Sequence, residues 1–181
     1  MEDPMKYIVL DPSGNFEDGK GHTGIAILQG DDWDTLRTVS IYAKNYATRH
    51  DYWRAVVDTV LDVCPVGGPV PLVIMESFTI RSNGYMIGKM PETIRLIGCL
   101  EYVLDRISVP YVFQMPSQAK SRFNDHSLTV HIPALKYNAA TNRYYLNGKV
   151  CNDHVRDALK HLLYFKRYKE AAWKKATTKT P

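Results

Sequence analysis

The order of the apolar segments constrains the fold of this chain more than any other feature of its sequence. Three short segments with the composition of β-strands come first, and amphipathic helices then alternate with single apolar strands. A run of strands followed by βα alternation is typical of a mixed sheet with helices packed against it. We therefore predict an α/β fold with a five-stranded sheet, in which the first three strands are antiparallel and the later strands pair in parallel.

Turn residues and hydrophobic periodicity place the individual elements. Residues 71–76 form a continuous apolar run, as expected of a strand buried on both faces. The Asn147-Gly148 pair indicates a hairpin turn, and residues 123–145 before it are predicted to be irregular. The predicted strands are Lys6–Asp11, His22–Gln29, Leu36–Ala43, Pro71–Glu76 and Tyr111–Gln114; the predicted helices are Arg49–Cys64, Pro91–Ile107, a short helix capped by Ser117 and ending at Lys120, and a last helix beginning near Asn152.

The composition limits the class of protein. With 181 residues, of which 45% are hydrophobic, the chain is long enough for one domain with a core, and a disordered or fibrous chain is excluded. No apolar run approaches the ~18 residues of a membrane span, and the first residues lack the basic head of a secretion signal. We therefore expect a cytoplasmic protein. The three cysteines are scattered without a CxxC pair, which argues against a disulfide framework or a zinc knuckle.

Charge is distributed unevenly along the chain. Residues 166–181 carry five Lys, one Arg and one Glu, so that the rest of the chain sums to −1 within a net charge of +4. We predict one domain over residues 1–165, followed by a basic tail over residues 166–181. The sequence leaves open whether this tail, with Tyr168 and Trp173 among its cations, binds DNA phosphates or is a solvated helix end.

One phosphate-binding motif is excluded by its context. Residues 14–20 spell GxxxxGK after a strand, which is the pattern of a P-loop. The next residue is Gly21, where the motif requires Ser or Thr, and a strand follows where the motif requires a helix. A P-loop phosphohydrolase is therefore disfavoured, and we expect no nucleotide cofactor.

Acidic side chains stand at the ends of two predicted strands and at the start of the last helix. If the strands ending at Asp11 and Glu76 are parallel neighbours, both carboxylates emerge at the same edge of the sheet. Along the last helix, spacings of three and four residues allow Asp153, His154 and Asp157 to reach one side. The alternative is local structure alone: a turn at each strand end and a cap at the helix start.

The residue types in this set favour a particular class of metal. Carboxylate oxygens with one imidazole suit Mg²⁺ or Mn²⁺ better than zinc, because no thiolate is among them. Two such ions roughly 4 Å apart can activate a water and stabilise the leaving oxygen of a phosphodiester. Crowded carboxylates would otherwise raise one another's pKa, so a cation is needed to keep them ionised.

The same residues carry a resemblance to a known family. Strand-ending Asp11, the LVIMESF segment containing Glu76, the FQMPSQAK stretch and the DHVRDALKHLLYF helix occur in the order and spacing of the RuvC-type Holliday junction resolvases. Over about residues 6–167, the chain most resembles the phage-encoded members of this RNase H-like group. The resemblance implies that residues 1–165 form an RNase H-like nuclease domain in which the strands ending at Asp11 and Glu76 are adjacent.

The resemblance also implies roles for individual residues. The catalytic residues and ligands of two Mg²⁺ ions, for which Mn²⁺ can substitute, would be Asp11, Glu76, His154 and Asp157. Lys120 would lie near the scissile phosphate. Asp153 matches no position of the family pattern, and it either caps the helix or joins the metal shell.

One departure from the family concerns the residues after Glu76. Cellular members carry an aromatic residue three positions after the Glu, where this chain has Thr79, so junction opening would use Phe78 or Tyr85 or proceed differently. The loop over residues 80–89 contributes further candidate DNA contacts, although it could equally be an ordinary exposed connection. The candidate DNA-binding residues are Lys120, Arg81, Phe78, Tyr85 and Lys89.

These observations favour a metal-dependent, structure-selective endonuclease that resolves four-way or branched DNA junctions during recombination and repair, in the host cytoplasm if the protein is phage-encoded. We expect a homodimer, because a two-fold junction requires two symmetric cuts and the chain carries one candidate site. The helix around residues 94–107 is a candidate interface or simply core. The alternatives are an RNase H-like nuclease acting on RNA–DNA hybrids or genome ends, and a catalytically inactive nucleic-acid-binding module.

Overall fold

The computed structural model describes residues 4–17, 19–64, 69–78 and 91–177. These residues form a mixed set of strands and helices with one 3-10 helix, Ala43–Asn45. The strands are β1 (Lys6–Asp11), β2 (His22–Gln29), β3 (Asp32–Tyr42), β4 (Leu72–Glu76), β5 (Tyr111–Gln114), β6 (Leu135–Asn138), β7 (Arg143–Leu146) and β8 (Lys149–Cys151). The helices are α1 (Arg49–Leu61), α2 (Pro91–Arg106), α3 (Pro116–Lys120), α4 (Asp125–His131), α5 (Asp153–Tyr168) and α6 (Glu170–Thr177).

The first five strands form one mixed sheet in the order β3-β2-β1-β4-β5. Strands β1, β2 and β3 pair in antiparallel fashion, whereas β4 pairs in parallel with both β1 and β5. The predicted five-stranded α/β sheet, with an antiparallel first half and a parallel second half, is therefore confirmed.

Helices cover both faces of this sheet, and the alternation of side chains along β1 explains why. Tyr7 and Val9 pack on the side of α5, while Ile8 and Leu10 pack on the side of α1 and α2. All four are essentially inaccessible to solvent. A strand buried on both faces requires a continuous apolar run, which both β1 and β4 have.

Several element boundaries differ from those predicted. Strand β3 begins at Asp32 rather than Leu36, and α1 ends at Leu61 rather than Cys64. The short helix α3 begins at Pro116, with Met115 in the capping position predicted for Ser117. Proline suits a first helical position because its missing N–H has no partner there in any case.

The prediction that residues 123–145 are irregular is wrong. This segment contains α4 and β6, and β7 begins within it. Helix α4 has seven residues, of which Leu128 alone is buried, so no hydrophobic period is visible. Its start is fixed by Asn124, whose side-chain oxygen accepts a hydrogen bond from the amide of Ser127 at 2.8 Å.

Strands β6, β7 and β8 form a separate antiparallel sheet, which we call the small sheet. The Asn147-Gly148 turn joins β7 to β8, as predicted, and both residues have positive φ, 48° and 78°. The chain then passes through Asn152 directly into α5.

Helix α5 continues through Tyr168, and α6 follows it; the predicted division of the chain at residue 165 stays a prediction. No helix within the described ranges is long and apolar enough to cross a membrane.

Candidate metal centre

The two strand-ending carboxylates lie side by side. Leu10 of β1 is in register with Met75 of β4, and the residues that follow them are Asp11 and Glu76. Because the two strands are parallel, both carboxylates leave the sheet at the same edge. The predicted adjacency of the strands is confirmed.

A close backbone contact brings α5 to this edge. Gly24 lies opposite Asp11 in the β1–β2 pair, and a Cβ atom at this position would overlap the backbone of His154 and Val155. The start of α5 is fixed by Asn152, whose Oδ1 accepts a hydrogen bond from the amide of Val155 at 2.9 Å. Glycine is therefore required at position 24 for the first turn of α5 to reach Asp11.

Three carboxylates converge as a result. Asp11, Glu76 and Asp157 each offer an oxygen, and these atoms lie within 4.8 Å of one another. All three side chains are largely shielded from solvent, with accessibilities of 9% for Asp11, 14% for Glu76 and 19% for Asp157. Three of the four predicted ligands thus form one cluster, and the fourth, His154, donates from Nδ1 to Oδ2 of Asp11 at 2.7 Å.

Two lysines neutralise part of this charge. Lys120 Nζ lies 3.1 Å from Glu76 Oε2 and 2.8 Å from Asp157 Oδ2, and Lys160 Nζ lies 2.8 Å from Asp157 Oδ1. Burial alone would raise the pKa of Asp157, but its bonds to both lysines hold that pKa below the ordinary value. Burial would lower the pKa of Lys120, but its contacts with Asp157 and Glu76 raise that pKa above the ordinary value. Lys120 therefore lies within the cluster rather than beside it.

Asp11 is the least compensated of the three acids. Burial raises its pKa; the hydrogen bond from His154 lowers it, and the charge of Glu76 raises it again, so that the net direction is upward. Burial would lower the pKa of His154, but the hydrogen bond and the charge of Asp11 reverse the direction. The folded chain thus places a carboxylate where its own cations do not fully stabilise the ionised form.

The donor chemistry fits a divalent cation. Three carboxylates supply the hard oxygen ligands that Mg²⁺ and Mn²⁺ prefer, and an imidazole stands next to them. A bound cation would also supply the positive charge that Asp11 lacks. The residues present are therefore suited to the metal that the sequence predicts.

A buried histidine that the sequence did not single out fixes Glu76. His161 has no solvent accessibility and hydrogen-bonds through Nε2 to Glu76 Oε2 at 2.8 Å and through Nδ1 to Gln114 Oε1 at 2.9 Å. Burial would raise the pKa of Glu76, but the His161 bond and the Lys120 charge bring it below the ordinary value. Positions 154, 157 and 161 lie on one helix face, a signal that was available in the spacing.

A second group of potential ligands flanks the first. His22, Asp153 and His154 offer atoms within 4.8 Å of one another. His22 is already stacked on Tyr42, and its Nε2 lies 3.0 Å from the side-chain nitrogen of Asn152. Asp153, which the sequence left unassigned, is exposed and is not the cap of α5, a role that Asn152 fills.

The other predicted DNA contacts are only partly described. Phe78 lies two residues beyond β4, and 39% of it is exposed. Arg81, Tyr85 and Lys89, with the departure noted at Thr79, lie outside the described residues.

Comparison with known proteins bears on the fold. No protein-family model and no curated protein matches the sequence. Among solved structures, the chain is similar to T. thermophilus RuvC in complex with a Holliday junction substrate, with a TM-score of 0.62 and 14% identity, over 92% of this chain and 96% of that one. It is also similar to another Thermus thermophilus RuvC structure, with a TM-score of 0.59 and 17% identity, over 93% and 97% of the two chains. These similarities confirm the RNase H-like, RuvC-like fold.

Proposed function

We propose that this protein is a metal-dependent, structure-selective DNA endonuclease that resolves four-way or branched junctions by phosphodiester hydrolysis. The observation that carries the proposal is the convergence of Asp11, Glu76 and Asp157 at one edge of a RuvC-like sheet. Junction DNA is the favoured substrate because one similar structure contains RuvC with a Holliday junction substrate. We further infer a role in DNA recombination and repair, in the host cytoplasm if the protein is phage-encoded.

The proposed metal ligands are Asp11, Glu76, Asp157 and His154, holding two Mg²⁺ ions or Mn²⁺ in their place. When bound, such ions activate a water and stabilise the leaving oxygen. The chain's own contacts hold the ligands in position before DNA arrives: His161 donates to Glu76, Lys160 to Asp157, and His154 to Asp11. Fixed ligands reduce the reorganisation needed in the transition state.

Lys120 would contact the scissile phosphate. Its ammonium has three N–H donors and bonds to two carboxylates, so a donor is available for a phosphate oxygen. Phe78 would contact bases near the junction centre, with Tyr85 as its alternative. Arg81 and Lys89, in the sequence that follows, would contact flanking phosphates.

A homodimer would place two such centres on one junction. Ile97, Leu100 and Leu104 of α2 are buried in the core, but the opposite side of the helix exposes Tyr102 at 67%. Ile94 is 40% exposed and Ile107, just beyond the helix, 44%. These exposed apolar side chains, although they point in different directions around α2, are the support for α2 as the interface. Light scattering should give the mass of two chains, and a monomer both alone and with junction DNA would contradict the proposal.

The decisive experiment uses a labelled, mobile four-way junction, a linear duplex and an RNA–DNA hybrid, each with and without Mg²⁺. We expect the junction to be cut only with Mg²⁺, and Asp11→Asn and Glu76→Gln to bind it without cutting. Asp58→Asn, which removes an exposed acid from α1, serves as the matched control and should cut normally.

Each outcome is informative. Cutting by Asp11→Asn or Glu76→Gln at nearly the wild-type rate would show that the site is assigned wrongly. If the protein cuts the RNA–DNA hybrid and not the junction, the proposed phosphodiester hydrolysis is correct and the proposed substrate is wrong. Binding without cutting by the wild type at any Mg²⁺ or Mn²⁺ concentration would indicate an inactive binding module.

A further inference from the structure

The small sheet stands out by its charge. Between Asp125 and Asp153 the sequence has no acidic residue, and its cations are Lys136, Arg143 and Lys149. These cations lie one on each strand of the small sheet. A segment of 27 residues without a carboxylate is unusual in a chain that is about one-quarter charged overall.

Strand register divides the side chains of the small sheet between two faces. Lys136 pairs with Tyr145, and Asn138 pairs with Arg143, so all four lie on the same face. The opposite face carries Leu135, Leu146 and Cys151, which are buried at 0%, 4% and 3% exposure. The first face is therefore the outward one, and we call it the outer face.

The outer face is exposed to solvent, and its cations have no acidic partner among the described residues. Lys136, Asn138 and Arg143 are exposed, and Val150, opposite Tyr145, is 53% exposed. Within the part of the chain that the structure describes, neither Lys136 nor Arg143 forms an ion pair, whereas Lys120, Lys160 and Lys166 all do. Two unpaired cations flanking a tyrosine are chemically suited to a phosphate backbone.

The small sheet is tied to the metal centre by a chain of ion pairs. Arg156 of α5 donates to the carbonyl of Cys151 at 2.7 Å and stacks its guanidinium 4.8 Å from the ring centroid of Tyr144. Arg156 also binds Asp125, which binds Lys160, which in turn binds Asp157. The position of the small sheet is thus coupled through α5 to a proposed metal ligand.

We propose that the outer face of the small sheet binds the phosphate backbone of a DNA arm next to the metal centre. This inference rests on the proposed function, and it adds a surface that neither the predicted DNA-binding residues nor the basic tail includes. DNA is favoured over an acidic protein partner because the proposed phosphate-cutting centre lies where α5 meets the ends of β1 and β4 in the same molecule. Backbone contacts of this kind position a substrate without reading its sequence.

The test measures junction binding in EDTA, so that no cutting occurs, by fluorescence anisotropy between 50 and 200 mM salt. The slope of log affinity against log salt is negative, and removing two phosphate contacts in Lys136→Ala/Arg143→Ala should make it less steep by about 1.8. Arg143→Ala alone should make it less steep by about 0.9. Lys149→Ala is the matched control: it removes the same charge from the same sheet but not from the outer face, and its slope should stay near that of the wild type.

Failure of this inference is distinguishable from failure of the proposed function. If the wild type binds and cuts junctions and the double variant keeps the wild-type slope and affinity, the surface assignment is wrong and the endonuclease stands. If the wild type binds no DNA, both the surface assignment and the proposed endonuclease function are wrong. If circular dichroism shows that the double alanine variant has lost helical content, Lys136→Gln/Arg143→Gln is used in its place. We expect the same salt dependence for it as for the double alanine variant. Equal losses in Arg143→Ala and Lys149→Ala would overturn the proposal in favour of non-local electrostatics.

Discussion

The two ends of α5 each carry a cluster of acids and lysines, and the clusters differ in balance. Near its start, three carboxylates share Lys120 and Lys160. At its other end, Glu170 of α6 is bonded by Tyr7 at 2.6 Å, by Lys166 at 3.3 Å and by Lys174, and Lys166 also pairs with the exposed Asp31 at 2.6 Å. The first cluster has three acids for two lysines, and the second has two acids for two lysines.

The pKa shifts follow this difference. At Glu170, burial would raise the pKa, but the bonds from Lys174, Tyr7 and Lys166 together lower it. At Asp11, burial prevails and the pKa is raised. A structural cluster satisfies its own charges, whereas a cluster with uncompensated carboxylates is suited to an external cation. The two clusters therefore differ in how far nearby cations stabilise the ionised acids, and both contain acids.

The largest effect is expected when one acid is replaced by its amide in the cluster at each end of α5. Asp11→Asn should reduce junction cutting by several orders of magnitude while leaving thermal stability unchanged or raised, because a poorly compensated buried charge is removed. Glu170→Gln should cut like the wild type. Rates and melting temperatures measured on both variants check the pair, and a marked destabilisation by Asp11→Asn would remove the contrast.

The next test concerns the histidine that holds Glu76. His161→Ala should weaken Mn²⁺ binding about 10- to 100-fold, since the ligand loses its orienting donor. It should also cost about 2 kcal/mol of unfolding free energy, because buried polar atoms lose a partner. His161→Gln keeps a donor and should recover part of the metal affinity, measured by calorimetry. His126→Ala, at an exposed histidine, is the control, and equal affinity in all three variants would exclude a positioning role.

Divalent metal should stabilise the folded chain through one end of α5 only. Mn²⁺ or Mg²⁺ at 100 times its dissociation constant should add about 2.7 kcal/mol to the unfolding free energy. Asp11→Asn should lose most of this increment, and Glu170→Gln should keep it. Thermal unfolding with and without metal measures the increments. Their equality in the two variants would show that the metal binds elsewhere.

The smallest expected effect is the pH dependence at Glu170. Its pKa is lower in the folded chain than the ordinary 4.5, so the unfolded chain binds more protons just below that pH. The stabilisation is therefore present above pH 4.5 and is lost as the pH falls through the folded pKa. Glu170→Gln should cost about 1 kcal/mol at pH 7, and the difference from wild type should shrink below pH 4.5. A difference that is constant with pH would contradict the assignment.

The sequence predicted what local pattern determines. Apolar runs and their period gave the five strands of the main sheet, and the residues that ended two of those runs, Asp11 and Glu76, proved to be neighbours. His161 was missed although its spacing places it on the helix face of His154 and Asp157, because spacing alone does not show which residue it contacts. Its partner Glu76 lies 85 residues away, and only the packing of α5 on the sheet brings them together. Of the small sheet, the sequence predicted the hairpin turn between β7 and β8 but not β6, where Leu135 is the one buried residue and no apolar run marks a strand.

Gly24 controls the candidate metal centre without belonging to it. Because the helix backbone occupies the space of a side chain at this position, even alanine would push α5 away from β2 and separate Asp157 from Asp11. The spacing of the acids in this chain therefore depends on a residue that supplies none of their atoms. Exchanging one hydrogen for a methyl group at position 24 would disable the centre with every ligand still in the sequence.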